Sequence, residues 1–218
     1  MTEREAPYFV NHDRRDRFPW TIYHRELQRG LADAVRDHGP TPRVLVVGCG
    51  LEPFVPGGPP GAIYFGFDLH ARAIEECRRR RPEMAARLAV CPGPLELPRE
   101  GEMSGDFDVV VAKEVIEHLP DPEPWARALA KRVAVGGELA LTTPNYGRWS
   151  PLPILERTVL EWIARRDGYS RAHIHPSKFD RRRLEALELD PGMTLHGVTV
   201  ARTGLHLLGR WQRLAPAP

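Results

Sequence analysis

The sequence predicts a doubly wound α/β fold, in which helices cover both faces of a mostly parallel, seven-stranded sheet. Short apolar runs alternate with amphipathic segments of helix length, which is the pattern of βαβ units. Several runs are apolar at nearly every position, as strands buried on both faces are. The 218 residues suit a single domain over residues 1–218, with an N-terminal helical extension over 1–40 and a helical lid insertion over 146–176.

The first part of the chain supplies five of the predicted strands. Apolar residues at helical spacing predict a helix from Trp20 to His38, which Gly39 and Pro40 end. Between residues 53 and 61, four prolines and three glycines occupy nine positions, so no full-length helix is expected there. Strands are predicted at 43–47, 62–67, 88–90, 107–112 and 138–143, with helices at 71–81 and 123–133.

The rest of the chain departs from this alternation. Residues 151–166 are predicted to form one amphipathic helix, and 177–187 a shorter helix with Ser177 as its N-cap. Two final strands are expected around 194–201 and 203–208.

The segment from Trp149 to Ile163 is expected to lie over the mouth of the site formed by the strand ends. Such a segment is a lid, a dimer surface or a lipid-facing helix. Because only one of its faces is apolar, we place the lid first and the surface of a homodimer second.

Composition excludes several classes of protein. With 42% hydrophobic and 28% charged residues, the chain is not disordered as a whole. No apolar run approaches the roughly 20 residues that cross a bilayer. The charged residues 1–17 lack the apolar core of a signal peptide, so a cytoplasmic location is expected. Three cysteines without a CxxC pair indicate neither a disulfide framework nor a zinc knuckle.

The charge balance gives no reason to expect a nucleic-acid partner. The formal net charge is only +2, although arginine-rich stretches occur at 78–81 and 181–183. We interpret these stretches as solvated helix faces, with an anion-binding or nucleic-acid-binding surface as the alternative.

Two motifs at the ends of the first two strands predict a nucleoside-binding site. In Gly48-Cys49-Gly50, small residues let the backbone approach a ligand closely. Asp68 ends the second strand, 18 residues after Gly50, where a carboxylate can accept both hydrogens of a ribose diol. Asp68 alone is also consistent with a cap on the helix near Ala71, but the glycine turn at this spacing favours ribose.

A cluster of titratable residues follows the fourth strand. Glu114, Glu117 and His118 stand at i,i+3 and i,i+4 spacing, so a helical turn would bring them to one face. Two carboxylates and an imidazole can hold a divalent metal, which would activate a bound hydroxyl. Alternatively, His118 is a general base, since an unperturbed imidazole titrates near pH ~6.5, or it is a packing residue.

Four blocks in order resemble the class I S-adenosylmethionine-dependent methyltransferases, most of all the ubiquinone-biosynthesis-type O-methyltransferases. They are Gly48 to Gly50, Gly66 to Asp68, Glu114 to Leu119 and Gly136 to Asn145. The resemblance covers about residues 43–145 and is weaker from His173 to Leu187. It implies a Rossmann-like fold that binds S-adenosylmethionine across the tips of the first, second and fourth strands.

The resemblance also implies which residues contact this cofactor. Gly48, Cys49 and Gly50 lie under its methionine part, Asp68 holds the ribose, Leu69 and Leu95 pack near the adenine, Lys113 faces the methionine end, and Glu114 is near the cofactor. The sequence departs from the family at three positions. Val46 replaces an acidic residue, Glu52 replaces a small one, and an aspartate of the third loop is replaced near Gly93. These changes bear on cofactor affinity rather than on the fold.

Two branches of the family use a Glu-Glu-His cluster to bind a metal: some ubiquinone-type O-methyltransferases, and the small-RNA 3′-terminal 2′-O-methyltransferases. The RNA branch adds a later histidine ligand, for which His173 or His175 is the counterpart here. Many members carry nearly the same residues without a metal. We therefore expect no metal, and we keep a site made by Glu114, Glu117 and His118 as the alternative.

The expected reaction is direct methyl transfer to an oxygen of a small organic acceptor, with His118, His173 or His175 taking the proton. His173 and His175 are expected in the substrate pocket opposite His118, or else they belong to an ordinary loop. One alternative function is metal-dependent methylation of an RNA 3′ end, with Arg181 to Arg183 on phosphate. Another is a non-catalytic binding protein that keeps only the fold.

Overall fold

A single sheet of seven strands organises the molecule in the computed structural model, which describes residues 20–99, 101–166 and 175–215. The strands are β1 (Arg43–Val47), β2 (Ile63–Asp68), β3 (Leu88–Val90), β4 (Phe107–Lys113), β5 (Val133–Pro144), β6 (Met193–Val200) and β7 (His206–Arg213). Their order in the sheet is β3-β2-β1-β4-β5-β7-β6. The pairs among β1 to β5 are parallel, and β7 is antiparallel to both β5 and β6. The predicted sheet is confirmed.

Helices lie on both sides of this sheet and in the insertion after β5. They are α1 (Trp20–Arg36), α2 (Ala71–Arg80), α3 (Pro122–Ala130), α4 (Leu152–Arg157), α5 (Val159–Arg166) and α6 (Arg181–Glu185). Short 3₁₀ turns cover Pro82–Arg87, Gly101–Met103 and Ile116–His118. None of the helices within the described ranges combines the length and the apolar character that crossing a bilayer requires.

The alternating side chains of β1 reach two separate cores. Leu45 and Val47 belong to one cluster, which includes Trp125 of α3, whereas Val44 belongs to another, which includes Leu31 of α1. Both faces of the strand are therefore buried, which is why its sequence is apolar without alternation.

The proline-rich stretch replaces the helix that would follow β1 in a regular doubly wound fold. Residues 48–62 form turns, bends and irregular backbone with no helix, as the sequence predicts. This segment packs through Val55, which is buried beside α1. The loop beside the glycine turn is therefore held by packing and turns rather than by helical hydrogen bonds.

Several predicted elements differ from the structure, among them the strand predicted over 138–143, which begins at Val133, and the helix predicted over 177–187, which covers only Arg181–Glu185. The helix predicted over 151–166 is two helices, because the backbone breaks at Thr158 (φ −120°, ψ −98°), whose hydroxyl donates to the carbonyl of Ile154. The last strand starts at His206 rather than at 203, because Gly204 adopts φ +72° in the preceding turn. Asp180, not Ser177, caps α6 by accepting from the backbone N–H of Arg183.

A buried ion pair links β5 to β7, and removing one partner is expected to destabilise the protein. Arg210 donates to both carboxylate oxygens of Glu138, which is almost fully buried. Burial alone would raise the pKa of Glu138, but hydrogen bonds from His38 and Arg210 lower it below its ordinary value of 4.5. We expect Arg210→Met to lower the free energy of unfolding by about 3–5 kcal/mol at pH 7, because it leaves a buried carboxylate without its guanidinium.

The pH dependence of this loss distinguishes charge from packing. Because the pKa of Glu138 is lowered by folding, the pair stabilises the protein above that carboxyl's ordinary range and loses its effect as pH falls. Urea unfolding should therefore show the difference between Arg210→Met and the original protein shrinking from pH 7 towards pH 4. A difference that stays constant over this range would assign the loss to packing, and the double variant Glu138→Gln/Arg210→Met serves as the control.

Candidate functional site

The glycine turn after β1 is built so that only glycine fits. Gly48 and Gly50 adopt φ +62° and +53°, in the left-handed region that favours glycine. A Cβ on Gly48 would also lie 2.5 Å from Cγ2 of Val115, which follows β4. The turn therefore brings the tips of β1 and β4 into close approach, as the cofactor site predicted from the sequence requires.

Asp68 connects this turn to the tip of β2. Its side chain is 6% exposed, with Oδ2 accepting from the N–H of Gly50 and Oδ1 from the N–H of His70, both at 2.8 Å. Helix α2 begins at Ala71 with no side-chain cap, so Asp68 does not cap it. Because a carboxylate oxygen can accept more than one hydrogen bond, both oxygens retain capacity for a ribose diol.

Exposed apolar side chains flank the position predicted for an adenine. Leu69 is 53% exposed and Leu95 55% exposed, whereas most large apolar side chains in the described ranges are buried. Between them in the chain, the thiol of Cys91 donates to the carbonyls of Gly93 and Glu96 and so shapes the third loop. The two leucines are therefore available to cover an adenine ring.

A charged pair lies at the predicted methionine end. Lys113 Nζ is 3.6 Å from Oε2 of Glu52, and both residues line a small cavity of about 30 Å³ beside Gly48. Glu52 is one of the departures from the family pattern. Here it supplies a negative charge beside the positive charge of Lys113. The ammonium and carboxylate groups of an amino acid zwitterion carry the charges that complement these two side chains.

The departure at Val46 and the cysteine of the glycine turn both contribute to packing. Val46 is buried in the core shared with α1 and lines the same small cavity as Glu52 and Lys113, so this wall of the cavity is apolar. The thiol of Cys49 is buried beneath the turn, and burial followed by the nearby charge of Asp68 raises its pKa well above the ordinary value. Cys49 is therefore a neutral packing residue of the cofactor turn.

The three residues predicted on one face after β4 do not all meet. The 3₁₀ turn covers only Ile116–His118, and Glu114 precedes it with φ +55°. Consequently the carboxylate of Glu114 turns to His206, with 3.5 Å between Oε2 and Nε2. Glu114 therefore does not share a face with Glu117 and His118, as the alternative metal set kept from the sequence requires.

His175 takes the place of Glu114 in the cluster. One ligand atom each from Glu117, His118 and His175 lie within 4.8 Å of one another. The backbone N–H of Ser177 donates to the carbonyl of Glu117, and its hydroxyl donates to the carbonyl of Leu119. These two bonds attach the segment carrying His175 to the turn carrying His118.

Glu117 is the buried member of this cluster. It is 1% exposed, and its Oε2 accepts from the hydroxyl of Thr143 at 3.2 Å. Burial, together with the charge of Glu114, raises the pKa of Glu117 well above its ordinary value. The environment therefore favours the neutral carboxylic acid unless a cation compensates.

The two histidines face each other from distant parts of the chain. The ring centroids of His118 and His175 are 4.9 Å apart, in edge-to-face orientation. Nδ1 of His175 lies 2.6 Å from Oη of Tyr146, which donates to the carboxylate of Glu156 on α4 at 2.9 Å. A groove of about 390 Å³ opens beside Tyr146, Glu156 and His175. His173, also predicted here, lies outside the described residues.

Sequence reasoning missed Tyr146, Glu156 and His206. Pairing of β5 with β7 sets His206 beside Pro144, so its closeness to Glu114 depends on long-range topology. Tyr146 directly follows Asn145, where the last recognised block ends. This adjacency to a recognised block is the sequence signal that could have identified Tyr146 as a site residue.

Comparison with known proteins gives a consistent assignment. The model of a family described as a methyltransferase domain matches residues 15–194. A ubiquinone biosynthesis O-methyltransferase of Pectobacterium atrosepticum is 28% identical over 142 residues, covering 64% of this chain and 58% of its own. That of Bordetella avium is 33% identical over 110 residues, covering 47% and 43%. The chain thus spans less than two thirds of the length of these curated relatives.

Solved structures of similar fold extend over more of the chain. The N-methyltransferase NodS of Bradyrhizobium japonicum WM9, in complex with S-adenosylhomocysteine, is 18% identical, with a TM-score of 0.61 over 94% of this chain and 91% of its own. A putative methyltransferase in complex with the Haloferax volcanii Trm112 activator has a TM-score of 0.69 at 14% identity, covering 99% and 98%. At these identities the likeness shows the fold. Together with the family match, it shows that the chain belongs to the methyltransferase domain family and has the fold of the class I S-adenosylmethionine-dependent methyltransferases.

Proposed function

We propose that the protein transfers a methyl group from S-adenosylmethionine to an oxygen atom of a small organic acceptor, above the carboxyl ends of β4 and β5. The observation that carries the proposal is the convergence of His118 and His175, with 4.9 Å between their rings, just beyond the strand that ends in Lys113. An oxygen acceptor must lose a proton when it is methylated, and a neutral imidazole is suited to take it.

The residues at the strand tips fit the cofactor by their chemistry. Asp68 would accept from the ribose diol, and Leu69 and Leu95 would cover the adenine. Glu52 would receive the ammonium group and Lys113 the carboxylate of the methionine part, in place of the contact they make with each other. When bound, the cofactor supplies a methyl group activated by the adjacent sulfonium.

The side chains around His175 determine which of its nitrogens can act. Tyr146 has a single hydroxyl proton, which it donates to Glu156. Its oxygen then accepts from Nδ1–H of His175, and in this tautomer Nε2 of His175 is the atom able to take a proton. Tyr146 and Glu156 thus orient the imidazole, as a third group orients the base in other active sites.

The remaining contribution of the protein is alignment and the exclusion of water. The insertion carrying α4 and α5 lies beside His175, because Glu156 of α4 binds Tyr146. This position supports its interpretation as a lid over the acceptor. The curated relatives are named O-methyltransferases, whereas NodS is named an N-methyltransferase, so the acceptor atom has to be tested.

The proposal is tested by calorimetry with S-adenosylhomocysteine, followed by transfer of a radiolabelled methyl group to matched phenol and aniline acceptors. We expect micromolar binding of S-adenosylhomocysteine and labelling of phenols in preference to anilines. Binding without transfer to any phenol, but with transfer to an aniline, would contradict the oxygen assignment. Absence of binding would contradict the catalytic function and favour a non-catalytic protein.

A second candidate role for the same cluster is metal binding, because Glu117, His118 and His175 offer ligand atoms within 4.8 Å. We expect methyl transfer to persist in EDTA, because the two imidazoles can take the proton of the acceptor without a metal. Loss of transfer in EDTA, with recovery on adding Mg²⁺, would instead assign these residues to a metal.

The pair at the methionine end provides a direct test of cofactor placement. We expect Lys113→Met and Glu52→Gln each to weaken S-adenosylhomocysteine binding about 10- to 100-fold, because hydrogen bonds to charged groups are worth roughly 1.5–3 kcal/mol. Calorimetry measures the change, with Lys131→Met, an exposed lysine at the C-cap of α3, as the control. Unchanged affinity in both variants would place the methionine part elsewhere.

A further inference from the structure

The glycine turn has one backbone N–H group that no part of the described chain accepts. The N–H groups of Cys49, Gly50 and Glu52 all donate to acceptors within the protein. The N–H of Leu51 donates to no group in the described ranges, although Leu51 is only 8% exposed. Because buried N–H groups in folded proteins are nearly always paired, this donor is one that a ligand can use.

A side chain from α2 holds the carbonyl of the same peptide unit. Sγ of Cys77 donates to the carbonyl oxygen of Gly50 at 3.1 Å, and Sγ of Cys49 lies farther from this oxygen, at 3.8 Å. Cys77 is completely buried, and burial raises the pKa of its thiol above the ordinary value of 9.0. The thiol therefore keeps the proton that it donates.

This hydrogen bond sets the direction of the Leu51 N–H, because the two groups belong to one peptide unit. The C=O and N–H of a planar trans peptide point in opposite directions. Since the carbonyl of Gly50 points to Cys77 on α2, the N–H of Leu51 points away from α2. Gly50 itself imposes little restriction, because glycine reaches its φ of +53° as readily as many other conformations. The thiol therefore supplies a restriction that the residue type does not.

Gly50 is also bonded to the residue predicted to hold the ribose. Oδ2 of Asp68 accepts from the N–H of Gly50 at 2.8 Å, so the peptide units on both sides of this glycine are held by buried side chains. A donor that is already oriented loses little conformational freedom when a ligand binds to it. The two contacts together prepare the turn for a ligand.

We propose that Cys77 is a positioning residue of the cofactor site, whose thiol holds the carbonyl of Gly50 so that the N–H of Leu51 donates to an oxygen atom of S-adenosylmethionine. The inference rests on the proposed function and adds a residue of α2 that acts on the cofactor through the glycine turn. Cys77 stands 27 residues after Gly50, and only the packing of α2 against the turn brings the two together.

Calorimetry with S-adenosylhomocysteine on the full chain compares three variants of Cys77. Cys77→Val and Cys77→Ala remove the donor and should each weaken binding about three- to tenfold, the worth of one ordinary hydrogen bond. Cys77→Ser keeps a donor and should bind within twofold of the original protein. Ile74→Val is the control, because it removes packing on the same buried face of α2 but no donor. It should lower thermal stability without changing affinity.

Two further readouts separate orientation of the turn from stability of the fold. In Cys77→Val, the KM for S-adenosylmethionine should rise by the same factor as the loss of affinity, while kcat stays within twofold. In the original protein, NMR should show the amide proton of Leu51 moving downfield when S-adenosylhomocysteine binds, as an N–H that gains a hydrogen bond does. This movement should be smaller in Cys77→Val.

The role of Cys77 is overturned if Cys77→Val and Cys77→Ala bind as tightly as the original protein, or if the Leu51 amide does not move downfield. It is also overturned if affinity follows thermal stability, with Ile74→Val as weak as Cys77→Val. Should the Cys77 variants not fold, the Leu51 amide of the original protein decides. If the original protein does not bind S-adenosylhomocysteine, the proposed function fails together with this inference, whereas binding without loss in the variants overturns the inference alone.

Discussion

Replacing Asp68 with asparagine is expected to weaken S-adenosylhomocysteine binding about 100-fold. The substitution removes the negative charge that would receive a ribose diol, and each hydrogen bond to a charged group is worth roughly 1.5–3 kcal/mol. It also replaces one acceptor oxygen with an N–H₂ donor. Since Gly50 and His70 each donate a backbone N–H to Asp68, one of these donors would then face another donor and lose its acceptor.

Calorimetry with S-adenosylhomocysteine measures this loss, and thermal unfolding shows how much of it comes from the fold. Asp106→Asn is the matched control, because Asp106 is exposed and precedes the opposite end of β4. We expect the control to bind as the original protein does. If Asp68→Asn bound normally while remaining folded, the ribose would have to be held by other residues, and the predicted seat of the cofactor would be wrong.

The arrangement of the glycine turn and Asp68 could be predicted because its determinants are local in sequence. Gly48 and Gly50 must adopt positive φ, and Asp68 ends the next strand. In a parallel sheet, consecutive strand ends meet at one edge, so the order of these residues fixes their neighbourhood. The absence of a helix from the proline-rich stretch could also be predicted, because proline removes the N–H that a helix needs.

The acceptor half could be predicted only in part, because it is assembled from distant segments. His118 and His175 were both expected there, but their 4.9 Å approach depends on the bonds that Ser177 makes to the turn after β4. Ser177 was predicted as a helix cap, since serine before a helix has that role more often. In the structure Ser177 instead makes two long-range hydrogen bonds, which no local sequence pattern indicates.

The exchange of Glu114 for His175 in the cluster has a physical cause. A helical turn starting at Glu114 would have aligned it with Glu117 and His118, but the backbone at Glu114 is left-handed (φ +55°). Spacing arguments assume regular geometry, and a residue with positive φ breaks that assumption. Strained backbone of this kind concentrates at functional sites, where the surrounding structure enforces it.

His175→Gln is expected to lower kcat about 100- to 1,000-fold while leaving S-adenosylhomocysteine affinity within twofold of the original. General base catalysis contributes roughly 10²–10⁴-fold, and glutamine keeps the size of the side chain but cannot accept the proton. Tyr146→Phe should produce a smaller loss of about tenfold, because it removes the group that orients His175 but not the imidazole itself. His118→Gln should fall between these two, since His118 faces the same space but its side chain is 49% exposed.

These three variants separate the base from a merely structural histidine. The control is His196→Gln, an exposed histidine on the edge strand β6, and this variant should turn over normally. A structural role would lower thermal stability and cofactor affinity together, whereas a base would lower kcat alone. If His175→Gln and His118→Gln both kept full turnover, the proton would have to leave through His206 and Glu114, the one other histidine–carboxylate pair that borders Lys113 in the described ranges. In that case the His206→Gln variant would show the loss of kcat.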